Sequence, residues 1–217
     1  SHTGPVSPGS LITIFGANLA DSAKATAAPL PRILGGVCVT ANEVAIPLIS
    51  TSPTQIDAQL PFDLGTGRFT LTVRSTRLGL VSAGVQVQPT ATSPGLFSID
   101  VDGLQRAPVH TADLTLVTPD YPADRDEYLI LYATGLGPVS PAVPAGLGNP
   151  EDAASTTTQP VEVAIGGQPY PVIWAGMAPG FVGVYQITIY VPGDRVQGDD
   201  LPVVVTAAGN SSATNNA

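Results

Sequence analysis

Residues 55–61, Gln-Ile-Asp-Ala-Gln-Leu-Pro, and residues 186–192, Gln-Ile-Thr-Ile-Tyr-Val-Pro, share the pattern Gln-Ile-x-x-x-(Leu/Val)-Pro. Each reads as a short strand that ends at a proline, because proline has no N–H to donate to the next rung of a β-ladder. The recurrence indicates that the chain consists of two related halves.

Other apolar positions recur in the same order when the second half is overlaid on the first. The matches, with the sequence shift for each, are residues 11–19 with 128–136 (117), Val37, Val39 and Pro47 with Val161, Val163 and Pro171 (124), residues 55–61 with 186–192 (131), and Phe69, Leu71 and Val73 with Leu201, Val203 and Val205 (132). The predicted hairpin turn Asn42-Glu43 is replaced by Gly166-Gly167. These ordered matches predict a tandem duplication.

The composition favours strands over helices. The 217 residues include 23 glycines and 22 prolines, only 12% are charged, and Val, Ile, Thr and Leu recur in short runs. Such a composition is typical of many short strands joined by tight turns. The sequence therefore predicts an all-β protein of two tandem immunoglobulin-like β-sandwich domains related by internal duplication, at residues 1–89 and 96–217, with a short joint at 90–95.

The end of the second predicted domain differs from the end of the first. At a shift of 132, the strand at residues 85–88 would be repeated from residue 217 onward, so the second domain is predicted to lack its last strand. Either the fold ends one strand early or the strand was cut away, or a strand from a neighbouring chain fills the slot as in donor-strand assembly. Both alternatives predict that the strand edge beside residues 201–207 is left unpaired by this chain.

Charge and hydropathy exclude several classes of function. The net charge of -9, with only eight Lys and Arg residues, argues against binding nucleic acid or an anionic membrane surface. No apolar run approaches the roughly 18 residues of a membrane span, so no membrane insertion is predicted for this segment. Low Lys content and abundant Thr, Ser, Asn, Gly and Pro favour export. Cys38 is alone, which excludes an internal disulfide, and its alternating neighbours predict a buried strand thiol.

Residues that could support catalysis or metal binding are few. The imidazoles are His2 and His110, the latter near Asp113, and a surface histidine is the favoured interpretation of His110 over a hydrolytic triad. Calcium could use oxygen ligands from aspartate clusters, although none has the spacing of a twelve-residue loop, so solvated turns are favoured. These clusters are Asp100 with Asp102, Asp120 with Asp124 and Asp126, and Asp194 with Asp199 and Asp200.

Three aromatic residues in the second half, Trp174, Tyr170 and Tyr185, suggest an alternative function in sugar binding. Trp174 takes the place of Ser50, so the repeated core does not require it. Aromatic side chains next to a long insertion nevertheless pack beneath it more often than they stack on a sugar.

Several segments resemble a family of uncharacterised bacterial extracellular domains, the Solibacter C-terminal domain family of Acidobacteria. They are residues 5–19 (PVSPGSLITIFGANL), 30–31 (LP), 34–37 (LGGV), 52–61 (SPTQIDAQLP), 132–137 (YATGLG) and 178–180 (APG). Each half also resembles an immunoglobulin-like domain of the IPT/TIG kind in its Pro-Gly-x-x-(apolar)-x-(apolar)-x-Gly-x-x-Leu opening. The resemblance implies secreted or surface-attached modules and brings no catalytic residues with it.

We therefore predict a non-catalytic extracellular or cell-surface module with a structural or adhesive role. No catalytic, cofactor-binding or metal-binding residue is assigned, and no cofactor is expected. The predicted partners are other copies of the chain, which would form a surface or fibre assembly through strand edges, or adjacent domains of a longer surface protein. The alternative is a carbohydrate-binding module with a glycan partner.

Overall fold

The computed structural model describes residues 4–150, 152–195 and 197–216. The protein is all-β, and within these residues the helical structure is one 3-10 turn at Phe62–Leu64. Nearly all strand pairs are antiparallel, and the prediction of an all-β fold is confirmed. No described segment forms a helix with the length and apolar character needed to span a membrane.

The first half, residues 4–89, contains two four-stranded sheets, ordered β1-β6-β5-β2 and β4-β3-β7-β8. Between them lies a buried apolar cluster that includes Val39, Leu48, Ile56 and Phe69. The strands are β1 (Leu11–Phe15), β2 (Ala23–Lys24), β3 (Val37–Ala41), β4 (Val44–Ala45), β5 (Leu48–Thr51), β6 (Gln55–Gln59), β7 (Phe69–Ser75) and β8 (Val85–Val87).

The second half, described over residues 95–150, 152–195 and 197–216, contains two larger sheets. Their main orders are β12-β13-β19-β18-β15-β14 and β10-β11-β22-β20-β16-β17. A second apolar cluster lies between them, an arrangement consistent with a β-sandwich. The strands are β9 (Gly95–Leu96), β10 (Ile99–Val101), β11 (Leu104–Arg106), β12 (Val109–His110), β13 (Tyr128–Thr134), β14 (Val139–Ser140), β15 (Thr156–Thr157), β16 (Val161–Ile165), β17 (Gln168–Tyr170), β18 (Val172–Met177), β19 (Tyr185–Tyr190), β20 (Pro202–Ala207), β21 (Asn210–Ser211) and β22 (Asn215–Asn216).

The two halves pair their strands in the same register. In the first half, Leu11 lies opposite Gln59. Tyr128 corresponds to Leu11 at a shift of 117 and Tyr190 corresponds to Gln59 at a shift of 131, and these two residues lie opposite each other in the second half. The pairs β3·β7 and β16·β20 also correspond residue by residue, and the irregularity in β5 recurs at the matching place in β18.

The turns that join β3 to β4 and β16 to β17 have the same backbone conformation despite different residues. Asn42 and Glu43 have φ of 47° and 67°, and Gly166 and Gly167 have φ of 60° and 76°. Two consecutive positive φ angles are what a tight two-residue hairpin needs to match the twist of its strands. Glycine supplies this conformation in the second half without the steric cost that Glu43 bears in the first.

The expected gap beside β20 is occupied by the chain itself. β21 pairs with the end of β20, and β22 pairs with its start, with Asn215 opposite Val203. The prediction that the second domain lacks its last strand is therefore corrected. The loop after β20 is two residues shorter than the loop after β7, so the equivalent strand lies at a shift of 130 rather than 132, and its polar sequence conceals it.

The matching side-chain contacts identify this strand independently of its sequence. The Ser82 N–H donates to the Val73 carbonyl at 2.9 Å, and the Ser82 hydroxyl accepts a hydrogen bond from the Val73 N–H at 3.0 Å. Ser212 makes the same two bonds with Val205, at 2.8 and 3.1 Å.

Candidate functional site

The halves meet through a buried glutamine at the end of β6. Gln59 is fully buried, its Oε1 accepts a hydrogen bond from the Gly146 N–H of the second half at 2.7 Å, and its Nε2 donates to the Gly9 carbonyl at 3.4 Å. A buried amide stabilises a fold only when its donor and acceptor are both satisfied. Gln59 thus fixes the second half in one position against the first.

A second set of contacts lies where β1 meets β13. The Leu11 N–H donates to Thr134 Oγ1 at 2.9 Å, and that hydroxyl donates to the Gly183 carbonyl at 3.0 Å. Gly183 has a φ of +68°, and a Cβ there would come within 2.5 Å of the Leu11 side chain. Glycine at this position adopts the positive φ without strain and leaves room for the Leu11 side chain.

The segment predicted as a joint is part of this packed structure. Thr92 is fully buried and its hydroxyl donates to the Ala207 carbonyl at 2.7 Å, while the Ser93 N–H donates to the Gly135 carbonyl at 2.7 Å. Phe62, from the first half, packs against the apolar cluster of the second. The joint is thus packed against the second half, and the Ser93 hydroxyl also donates to the Pro5 carbonyl of the first half at 2.7 Å.

His110 lies inside the second half, so its interpretation as a surface histidine is corrected. It is 3% exposed, its Nδ1 lies 3.1 Å from Glu127 Oε1, and its Nε2 lies 3.2 Å from the Tyr121 carbonyl. The Tyr121 ring lies against the imidazole at 4.2 Å between centroids. Both ring nitrogens thus face acceptors within the protein, and the side chain holds the loop after β12 in place.

Asp113, the acidic partner considered for His110, belongs to a turn instead. Its Oδ1 accepts from both the hydroxyl and the N–H of Thr115, at 2.7 and 3.0 Å. The bond from the Thr115 hydroxyl, followed by the bond from the Thr115 N–H, lowers the pKa of the Asp113 carboxyl below its usual value. The catalytic arrangement of His110 with Asp113 is not formed.

Three of the aspartates considered as calcium ligands make contacts with other protein groups. Asp100 accepts from the Gly103 N–H and from the Gln105 amide within the β10–β11 hairpin, and Asp200 forms a 2.7 Å ion pair with Arg106. Asp126 accepts from the Tyr190 hydroxyl. Among the described residues no group of three or more His, Cys, Asp or Glu side chains could hold a metal ion.

The three aromatic residues considered for sugar binding do not form a common platform. Tyr185 is fully buried, donates its hydroxyl to the Gly137 carbonyl and has its pKa raised by burial. Tyr170 is also buried, with the Arg195 guanidinium 5.8 Å from its ring centre, and lines a cavity of about 360 Å³. Trp174 is half-buried and lies over Gly176.

Cys38 lies in β3 as expected for a strand thiol, but it is only partly buried. Its partner in the ladder is Arg74, on the face that points away from the core. The prediction of a buried thiol is therefore corrected to a half-buried one.

A run of exposed apolar side chains lies in the first half along residues 78–87. This segment runs beside β7, first through a bridge from Val81 to Arg74 and then as β8. Leu78, Leu80, Val81 and Val85 are all more than half exposed. Several of them line a groove of about 500 Å³ that also includes Leu19 and Val73.

Inward-facing residues on this side of the first half are less buried than their counterparts in the second. In the first half, Ile12, Ile14, Leu71 and Val73 are only partly buried, and Val85 is 54% exposed. The counterparts Leu129, Leu131, Val203 and Val205 are at most 2% exposed, and Asn215 is 8% exposed. We call the five first-half residues, which lie between β1 and β8, the open flank.

Charge is distributed unevenly between the halves. Residues 1–89 contain five basic and four acidic side chains, a net charge of +1, whereas residues 90–217 contain three basic and thirteen acidic ones, a net charge of -10. Two second halves would repel each other strongly at low ionic strength, whereas a first half would not repel either half strongly.

Within the residues that the structure describes, fold and contacts define an all-β protein whose two halves pack together and whose first half has a partly exposed apolar flank. Comparison of the chain with protein-family models gave no match, and neither did comparison with curated proteins. The resemblance to the Solibacter and IPT/TIG families stays a prediction.

Proposed function

We propose that this chain is a non-catalytic structural or adhesion module of the cell surface, which assembles with other copies of itself through exposed strand edges. The adjacent domains of a longer surface protein are the other partners that such edges would serve. The observation that carries this proposal is the extended apolar edge at residues 78–87. An exposed edge strand offers unpaired N–H and C=O groups to another strand, and natural proteins usually protect such edges.

The locked interface supports a structural role. Gln59 is fully buried and bonded to the second half, and Thr92 of the joint is buried and bonded to the second half, so the halves are joined by packed contacts rather than by a flexible linker alone. A rigid unit loses less entropy when it assembles, which favours pairing at an edge.

Charge supports the first half as the contact surface. The net charge of -10 on the second half opposes contact between two second halves, while the near-neutral first half carries the exposed apolar side chains. Association through the first half also removes apolar surface from water, at about 25 cal/mol per Å².

We also propose that the halves arose by duplication. The support is the shared register of the main strand pairs and the matching contacts of Ser82 and Ser212. The proposed extracellular location rests on composition, chiefly the low Lys content.

Sedimentation velocity on the full chain over a wide concentration range tests the proposal. We expect the mean sedimentation coefficient to rise with concentration and to rise more steeply with added salt, because salt screens the repulsion between second halves. A chain that stays monomeric at every concentration and salt level contradicts self-assembly.

A further inference from the structure

We propose that the open flank of the first half binds an extended segment of a partner polypeptide, which adds to the sheet as a strand parallel to β8. This inference rests on the proposed function in that it assumes pairing at strand edges, and it specifies the site and the chemistry of the occupant. The occupant is a single extended strand with apolar side chains at its inward positions.

The second half shows how such a flank is covered. Residues 95–117 carry β9 to β12 along its side, where β11 pairs in parallel with β22, with Arg106 opposite Asn216. Farther along, β12 pairs antiparallel with β13, with Val109 opposite Ile130 and His110 opposite Leu129. Ala107 and Val117 from this segment are buried in the second apolar cluster.

The shared register transfers this arrangement to the first half. Asn216 corresponds to Gln86, because Thr70 lies opposite Gln86 as Pro202 lies opposite Asn216. Leu129 and Ile130 correspond to Ile12 and Thr13. An incoming segment that runs beside Gln86 would therefore cross the flank and reach the free edge of β1 at Thr13 and Ile12.

The strand positions that this segment would occupy are open among the described residues of the first half. β1 and β8 are each the outermost strand of their sheet. Residues 4–10 run past the end of β8, where the Val6 carbonyl accepts a hydrogen bond from the Thr90 N–H, and the Val6 side chain packs against the first apolar cluster. The partial exposure of Ile12, Ile14, Leu71 and Val73 is the consequence.

The chemistry of the flank selects its occupant. The five flank residues are aliphatic, so the side chains of the occupant that face them must be apolar, as Ala107 is in the second half. Arg106 and His110 of the same segment are buried there beside the carboxylates of Asp200 and Glu127. The neighbouring groove of about 500 Å³ would accept a larger aliphatic side chain beside Val73 and Val81. Backbone N–H and C=O groups along β8 would provide the affinity that does not depend on sequence.

A synthetic peptide with the sequence of residues 103–110, the extended part of the covering segment, labelled with a fluorophore, provides the test. It is added to the full chain and its anisotropy is followed. A control peptide carries serine in place of Leu104, Ala107 and Val109. We expect saturable binding of the first peptide and none of the second, and absence of binding by the first peptide overturns the proposal.

Two matched variants locate the binding site. Val85→Asp places a carboxylate on the flank and should weaken peptide binding by at least about tenfold, because the carboxylate would lose its water among aliphatic side chains. Val44→Asp makes the same change on β4, the opposite edge of the same sheet, where Val44 is 61% exposed, and should leave binding unchanged. Equal binding by both variants overturns the proposal.

A measurement on the unmodified protein does not depend on how the variants fold. Amide resonances of Ile12, Thr13 and Gln86 should shift on peptide addition, and those of Val44 and Ala45 should not. Shifts confined to other residues refute the flank as the site.

The two proposals can fail separately. If the chain stays monomeric but binds the peptide at the flank, self-assembly is wrong and the flank inference stands. If the chain associates and Val85→Asp abolishes this association while the peptide does not bind, a second folded copy covers the flank and the strand inference is wrong.

Discussion

Replacement of Gln59 by leucine removes the polar contacts at the centre of the interface while it nearly preserves side-chain volume. The change leaves the Gly146 N–H, bonded at 2.7 Å, and the Gly9 carbonyl, bonded at 3.4 Å, buried without these partners. An unsatisfied buried group costs about 1–3 kcal/mol, and the longer bond contributes less than the shorter. We expect Gln59→Leu to lower the free energy of unfolding by about 2–4 kcal/mol.

Urea unfolding of the full chain, followed by circular dichroism, measures this loss. Gln88→Leu is the matched control, since Gln88 is exposed and its amide donates to the Thr66 carbonyl at 2.7 Å. A surface change of this kind shifts stability by no more than about 0.5 kcal/mol. If Gln59→Leu costs no more than Gln88→Leu, the buried glutamine does not fix the halves together and the account of the interface is wrong.

Two further residues give predictions for the second half. His110→Ala should lower the free energy of unfolding by about 1–3 kcal/mol, because Glu127 and the Tyr121 carbonyl lose the imidazole as their partner. Urea unfolding measures this loss, and a change below about 0.5 kcal/mol would contradict the role of His110 in holding the loop. Burial raises the pKa of Tyr185 above the usual 10, so above pH 10 only the unfolded state readily releases the proton and stability falls with rising pH. Tyr185→Phe should remove that part of the alkaline loss, as measured by unfolding between pH 9 and about 11.5, and an unchanged pH profile would contradict the assignment.

The strand framework could be predicted from sequence because it is local. The Gln-Ile-x-x-x-(Leu/Val)-Pro pattern marks β6 and β19, and the alternation at residues 69–74 marks β7. Proline and the two-residue period act within a few residues of each other, so no distant contact is needed to read them.

The features of functional interest could not be predicted in this way because they depend on distant contacts. The bond from Gln59 to Gly146 joins residues 87 positions apart, and nothing in the local pattern distinguishes this glutamine from Gln55. The sequence does not predict β22, because its asparagines have low strand propensity and the strand forms only through pairing with β20 and β11. Ile14 is only partly buried because, among the residues described, β1 is the outermost strand of its sheet, a position that the sequence of Ile14 and its neighbours does not specify.

Hydrogen–deuterium exchange at several protein concentrations tests the central claim, that the edge at residues 78–87 pairs with other copies, most directly. Backbone amides that pair with another strand exchange more slowly in proportion to the fraction of chains that are assembled. We predict that amide protection of residues 80–87 rises with concentration, while protection at Val44–Ala45, on the other edge of the same sheet, stays constant. Protection at residues 80–87 that is independent of concentration, in samples that do associate, would contradict the claim.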